Sequence, residues 1–231
     1  MEKLLFHLSI VAINCYAIWY DQQYIEVPLA RADAFVHLPM KGRSIFFTMW
    51  CFLAQTLYFA VSAINDIFGT DEESPKKIPL IRSIRDVIFT TLALPASMYV
   101  TTVFWSIYAI DRELILPSEM DKAFPSWLNH LLHTTVLLFT LIEMHISPHT
   151  YPSRKMGVFI VTSFSYIYFV WMMYVYYETS TWVYPLFDVL NWPTRIFFCL
   201  STVISSAVMY YLGEKLNAAV WSDETPKEKV F

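Results

Sequence analysis

The sequence predicts an all-α, polytopic membrane protein with six transmembrane helices and both termini in the cytoplasm. Three observations carry that reading. Of 231 residues, 56% are hydrophobic and only 16% are charged, where a soluble domain carries about 25% charged residues. The apolar residues also fall in blocks, and six of these, 4–20, 44–64, 87–110, 126–146, 156–177 and 195–213, approach or exceed the roughly 20 residues that a span needs. Lysine and arginine then set the orientation. With the N-terminus inside, the cytoplasmic segments hold ten (Lys3, Lys76, Lys77, Arg82, Arg85, Arg154, Lys155, Lys215, Lys227, Lys229) and the opposite side six (Arg31, Lys41, Arg43, Arg112, Lys122, Arg195), which follows the positive-inside bias. Residues 1–221 are therefore one membrane domain and 222–231 a charged cytoplasmic tail.

Met1-Glu2-Lys3 runs straight into apolar residues with no small-residue cleavage site, so the first block reads as a retained span rather than a removed signal peptide. It closes on Trp19-Tyr20, aromatics of the kind that sit at a membrane boundary. His7, near its start, is within reach of the interface and is given no role. The second block carries Thr48, Gln55 and Thr56 and stops at Asn65-Asp66, ahead of the most charged loop, 67–86. The third contains Pro95, expected to kink a helix whose neighbours satisfy the freed carbonyl, and ends on the charged cap Asp111-Arg112-Glu113. Glu143, late in the fourth block, is expected to snorkel to the interface. The aromatic run Thr181–Phe187 is too short to span and is expected at the interface or dipping into it.

Several function classes fall away on composition. A net charge of −4 with no basic run offers nothing to nucleic acid. The four glycines, Gly42, Gly69, Gly157 and Gly213, build neither a phosphate-cradling loop nor a G-x-x-x-G packing face. Cys15, Cys51 and Cys199 all lie inside expected spans; they read as small buried hydrophobes, and an odd count does not make a disulfide framework.

Chemistry concentrates in 125–146. Its first turns read Pro125-Ser126-Trp127-Leu128-Asn129-His130-Leu131-Leu132-His133-Thr134-Thr135. Ionisable side chains at membrane depth are costly and are functional candidates by default. His130 and His133, three apart, share one face of a regular helix. Two haem-ligating histidines belong on different helices at matching depth, and His7 lies near the other end. Di-iron lipid enzymes use several histidine clusters, whereas this chain has six His in all and one intramembrane cluster. No cofactor and no metal is expected. A structural pair bonding across helices stays open, as does hydrolysis, in which a neutral imidazole takes the proton of a hydroxyl nucleophile. There is no G-x-S-x-G elbow. The residues alone leave Thr48, Thr56, Thr134 and Ser126 open as that hydroxyl. Spans two and four both begin on the non-cytoplasmic side, with Thr48 about 6 Å and His133 about 10 Å deep at about 1.5 Å per residue, so the two are free to meet.

A resemblance narrows the choice. The run 127–135, with Glu143, Tyr151-Pro152-Ser153-Arg154, Trp182-Val183-Tyr184-Pro185 and Leu212-Gly213-Glu214-Lys215-Leu216-Asn217, resembles the family of androgen-induced-gene-one and androgen-dependent TFPI-regulating proteins. Arg85-Asp86, Asp111-Arg112-Glu113 and Pro117 match in the same order. The resemblance implies a six-span threonine hydrolase that cleaves fatty acid esters of hydroxy fatty acids. Its nucleophile falls on Thr48 and its catalytic histidine on His133. Ser44 and Ile45 depart from the aromatic residue and lysine usual in that family. His130, Asn129 and Asp111 are candidates for supporting roles, and the partners implied are the lipid ester and membrane lipids. The alternative is a non-catalytic membrane scaffold or trafficking regulator with a structural His pair. The tail, Lys227-Glu228-Lys229-Val230-Phe231, resembles a dilysine signal for retrieval to the endoplasmic reticulum. It points to that or another endomembrane, while the resemblance leaves the plasma membrane open.

Overall fold

The computed structural model describes residues 1–26, 33–72 and 76–221. The tail 222–231, with Lys227 and Lys229, lies outside them. Among the described residues the regular elements are all helical. Five helices are long and apolar enough to cross a membrane: α1 Glu2–Tyr24, α2 Phe47–Phe68, α3 Leu80–Ile110, α5 Arg154–Thr179 and α6 Trp192–Val220. Between α3 and α5 lies a sixth continuous helical segment, α4, 126–146. It has the length of the others and too many polar side chains to match their apolarity.

Lipid explains the surface. Along α6, Phe197, Leu200, Ile204 and Val208 all point outward, a stripe at helical spacing that water would penalise and acyl chains do not. Cys15, expected to be buried, belongs to the exposed face of α1, whereas Cys51 and Cys199 are inside.

At the centre is α3, packed against α2, α4, α5 and α6. Its Phe89, Ala93 and Leu94 have no accessible surface. A wide i→i+5 turn at Phe89–Ala93 precedes Pro95. Proline brings no N–H to the ladder, and the widened turn lies directly ahead of it. On the far side of α3, α5 and α6 approach closely at Gly157, where a Cβ would come within 2.1 Å of the Tyr210 hydroxyl.

Several helices run past the apolar blocks that predicted them. α3 begins at Leu80, inside the segment expected to be a charged loop, because its charges are paired and buried. Arg85 meets Asp86 at 2.7 Å and donates to the Pro148 carbonyl at 2.7 Å. Two further expectations are overturned nearby. His7 does not reach the interface: it is completely buried, its Nδ1 2.7 Å from Asp66 and its Nε2 2.8 Å from Glu143. Glu143 does not snorkel either. Its side chain is fully buried and also accepts from the Tyr58 hydroxyl at 2.6 Å. Both were misread for one reason: an unpaired charge must find water, and these are not unpaired.

Asp71, in the α2–α3 loop, closes this end of the bundle. It pairs with Arg85 and, at 3.0 Å, with Lys3. Burial alone would raise its carboxyl, but the two cations outweigh burial and hold it below the usual range. A folded pKa below the unfolded value of about 3.9 adds stability above that value, which is lost as pH falls through the folded one. Thermal unfolding in detergent should therefore show a Tm falling on the acid side, and Asp71→Asn should flatten that limb while lowering Tm at neutral pH.

Candidate active site

Thr48 is the second residue of α2, nearer the helix mouth than the apolar block implied. The backbone leading to it is tightly specified. Met40 and Lys41 hold positive φ of 56° and 50°, and Gly42 follows at 82°. At Gly42 a Cβ would meet the Phe35 carbonyl oxygen at 2.8 Å, so the turn requires glycine. Arg43 then anchors the segment, donating from Nε to both Asp21 oxygens at 3.0 Å and from Nη2 to the Ile25 carbonyl at 3.0 Å. The next carbonyls are held by aromatic donors: Ser44 O by the indoles of Trp50 and Trp171 at 2.8 and 2.9 Å, and Ile45 O by the Tyr168 hydroxyl at 2.9 Å. Phe47 N–H donates to Tyr184 at 3.1 Å.

His133 sits in the second wide turn, Leu131–Thr135. A turn of this kind breaks the i→i+4 ladder and frees carbonyls for side chains. Trp105 Nε1 donates to His133 O at 3.2 Å. His133 Nδ1 lies 3.0 Å from Asn129 O and 2.8 Å from Asn129 Oδ1. Facing two acceptors, Nδ1 carries the proton. Nε2 therefore presents a lone pair, 3.3 Å from Thr48 Oγ1, and accepts the hydroxyl proton. The ring lies flat on Phe104, centroids 3.6 Å apart at 12°. Hydroxyl, imidazole and orienting amide form a chain of the kind that makes a base of histidine and a nucleophile of a hydroxyl.

The other expected site residues are elsewhere. His130 is exposed and does not share a face with His133, because the wide turn begins between them. Its Nδ1 is 3.2 Å from Thr134 Oγ1, and its ring stacks over Trp105. Asp111 is exposed and accepts from the Glu113 N–H at 3.0 Å, as a cap. Thr56 donates to the Phe52 carbonyl at 2.8 Å and accepts from Asn14 at 3.1 Å, joining α1 to α2. Ser126 is exposed at the start of α4. Phe104, Trp105 and Tyr184 were missed as site residues, since an aromatic that shapes a site and one that faces lipid look alike in sequence.

Two cavities converge on Thr48. The larger, about 140 Å³, is also lined by His133, by the buried Asp21 and Arg43, and by the exposed Lys41. The smaller, about 80 Å³, runs between α2, α3, α5 and α6 and is walled by apolar side chains such as Val103, Met172 and Phe198. Among the described residues no group of His, Cys, Asp and Glu is placed to hold a metal ion.

A sequence profile of the FAR-17a/AIG1-like protein family matches residues 2–218. The chain belongs to this family. It is 37% identical over 199 residues to the human "Androgen-induced gene 1 protein", covering 84% of each chain. To the "Androgen-dependent TFPI-regulating protein" it is 37% identical over 180 residues in Mus musculus, 78% of each chain, and 38% over 186 residues in Homo sapiens, 80% of each. No solved structure matches it. With its apolar helices, membership makes it an integral, multi-pass membrane protein.

The Arg43–Asp21 pair is buried on both sides, so removing one partner strands a charge, at a cost of about 3–5 kcal/mol. Arg43→Met should lower stability by that much in denaturant unfolding of the detergent-solubilised protein. Arg43→Met with Asp21→Leu should recover most of the loss.

Proposed function

We propose that this protein is an intramembrane hydrolase that cleaves fatty acid esters of hydroxy fatty acids, with Thr48 as nucleophile and His133 as base. The observation that carries this is the 3.3 Å approach of Thr48 Oγ1 to His133 Nε2, with Nδ1 engaged by Asn129. The substrate class rests on the family resemblance carried by 127–135 and the flanking motifs, and the apolar walls around Thr48 suit a lipid ester. In this reading 126–146 is the sixth span, both termini are cytoplasmic, and the site opens on the non-cytoplasmic side of the endoplasmic reticulum or another endomembrane.

The reaction runs in two halves. Thr48 Oγ attacks the ester carbonyl as its proton passes to His133 Nε2, and the carbon–oxygen bond to the alcohol breaks as that proton is handed to the leaving oxygen. Water then gives a proton to Nε2 and attacks the acyl-threonine. The Thr48–acyl bond breaks, Oγ regains the proton, and the fatty acid leaves. Thr48 N–H, in the first turn of α2, meets no acceptor among the described hydrogen bonds. A free amide at a helix N-terminus is suited to the developing oxyanion.

Thr48→Ala should abolish turnover of a branched ester, and Thr48→Ser should keep part of it. His133→Ala should lose turnover as well, while His130→Ala should be mild. Asn129→Ala should lower kcat by only about fivefold, because it removes one hydrogen bond worth about 1 kcal/mol and leaves the Asn129 carbonyl on Nδ1. A fluorophosphonate probe should label wild type and spare Thr48→Ala. Full activity or unchanged labelling in Thr48→Ala would overturn the nucleophile, and no turnover and no labelling in wild type would favour the scaffold reading.

A further inference from the structure

We infer that the two cavities meeting at Thr48 divide the substrate, and that Lys41 at the mouth of the larger one binds a free carboxylate on the alcohol half of the ester. The inference rests on the hydrolase reading and adds to it which half lies where and what recognises its end. His133 lines the larger cavity and not the smaller. The imidazole must protonate the leaving oxygen and later receive a proton from water. The departing alcohol and the entering water therefore both use the larger cavity. The acyl group, which stays on Thr48 between the two halves of the reaction, is left with the apolar cavity between α2, α3, α5 and α6. That cavity needs no polar outlet, and its lining offers almost none.

The larger cavity is different because charged side chains line it, with Lys41 at its exposed end. Asp21, Lys41 and Arg43 all line it. Arg43 is spent on Asp21 and the Ile25 carbonyl, and those two charges cancel. Lys41 is left as the net positive charge. Its ammonium donates to the Gln22 carbonyl, and a lysine has three donors, so two remain for a ligand. The backbone holds Lys41 there against its own preference, since its φ of 50° is left-handed and non-glycine residues pay for that conformation. The hydroxy fatty acid half of the ester in the hydrolase reading ends in an ionised carboxylate, the partner such a lysine suits. An ester whose alcohol half ends in an uncharged group fits the same walls and forgoes the lysine.

The test separates binding from catalysis. Equilibrium binding of a radiolabelled hydroxy fatty acid, and of its methyl ester, is measured on the full chain in nanodiscs of zwitterionic lipid. Wild type should prefer the free acid by about tenfold, the scale of one charge-assisted contact. Lys41→Gln should abolish that preference without changing affinity for the methyl ester, and Lys41→Arg should restore it. In parallel, Cys199→Phe, which fills the smaller cavity, should shorten the acyl chain accepted in turnover and leave the acid preference intact. Equal binding of acid and methyl ester by wild type, or a preference that survives Lys41→Gln, would overturn the proposal. Lys41-dependent acid binding in a protein that turns over no ester would sustain the carboxylate subsite and bring down the Thr48 reaction instead.

Discussion

One carboxylate holds three helices together. Glu143 of α4 takes the ring of His7 from α1 on one oxygen and the hydroxyl of Tyr58 from α2 on the other. Tyr58 in turn lies 2.8 Å from His149 Nε2, in the loop before α5. Between helices in lipid there is little hydrophobic force to gain, since acyl chains are as apolar as leucine, and polar contacts with close packing take over. His7, Tyr58 and Glu143 are completely buried, and with Asp66 and His149 they satisfy one another. That condition fixes how α1, α2 and α4 are rotated about their axes.

The opposite end of the bundle is organised by a different rule. There the arrangement depends on a loop, and loops at functional sites keep their shape only when the surroundings over-determine it. Three successive residues with positive φ, a buried arginine, three aromatic donors and the accepting hydroxyl of Tyr184 all act on residues 40–47. The product is a hydroxyl at a helix N-terminus. Its partner is held with equal care, by an amide on Nδ1 and by a phenyl ring against the face of the imidazole. For the proposed reaction, rigid support on both sides matters because misplacement by about an ångström can cost about a hundredfold in turnover.

Much of this was legible in sequence, and the limits have physical causes. The apolar blocks located all six helical segments, and 126–146 matched to the residue, because hydrophobic length is a one-dimensional property. The extension of α3 back to Leu80 was not, since Arg82 and Arg85 look solvated until Asp86 and Asp71 are seen beside them. His7 and Glu143 failed in the same way. Acidic residues late in two spans, Asp66 and Glu143, with a histidine early in another that runs the opposite way, were the available signal. That His133 Nε2 meets Thr48 rather than Thr56 or Thr134 is a matter of three-dimensional neighbourhood that spacing does not contain. The separation of His130 from His133 depends on a single widened turn, which no residue type announces.

That turn has a further meaning for the helix that contains it. A widened turn is one residue more than a regular helix would use for the same rise, so α4 behaves as two rods of different rotational phase joined end to end. The joint itself aims His133 at Thr48, and the second rod aims Glu143 at His7 and Tyr58, so no single regular helix need satisfy both bearings at once. Histories of insertion and deletion should therefore read differently here from elsewhere in the chain. Losing one residue between 131 and 135 would bring the two rods into a common phase and turn one end of the helix away from its partners, whereas a change of side chain at the same positions leaves the joint in place.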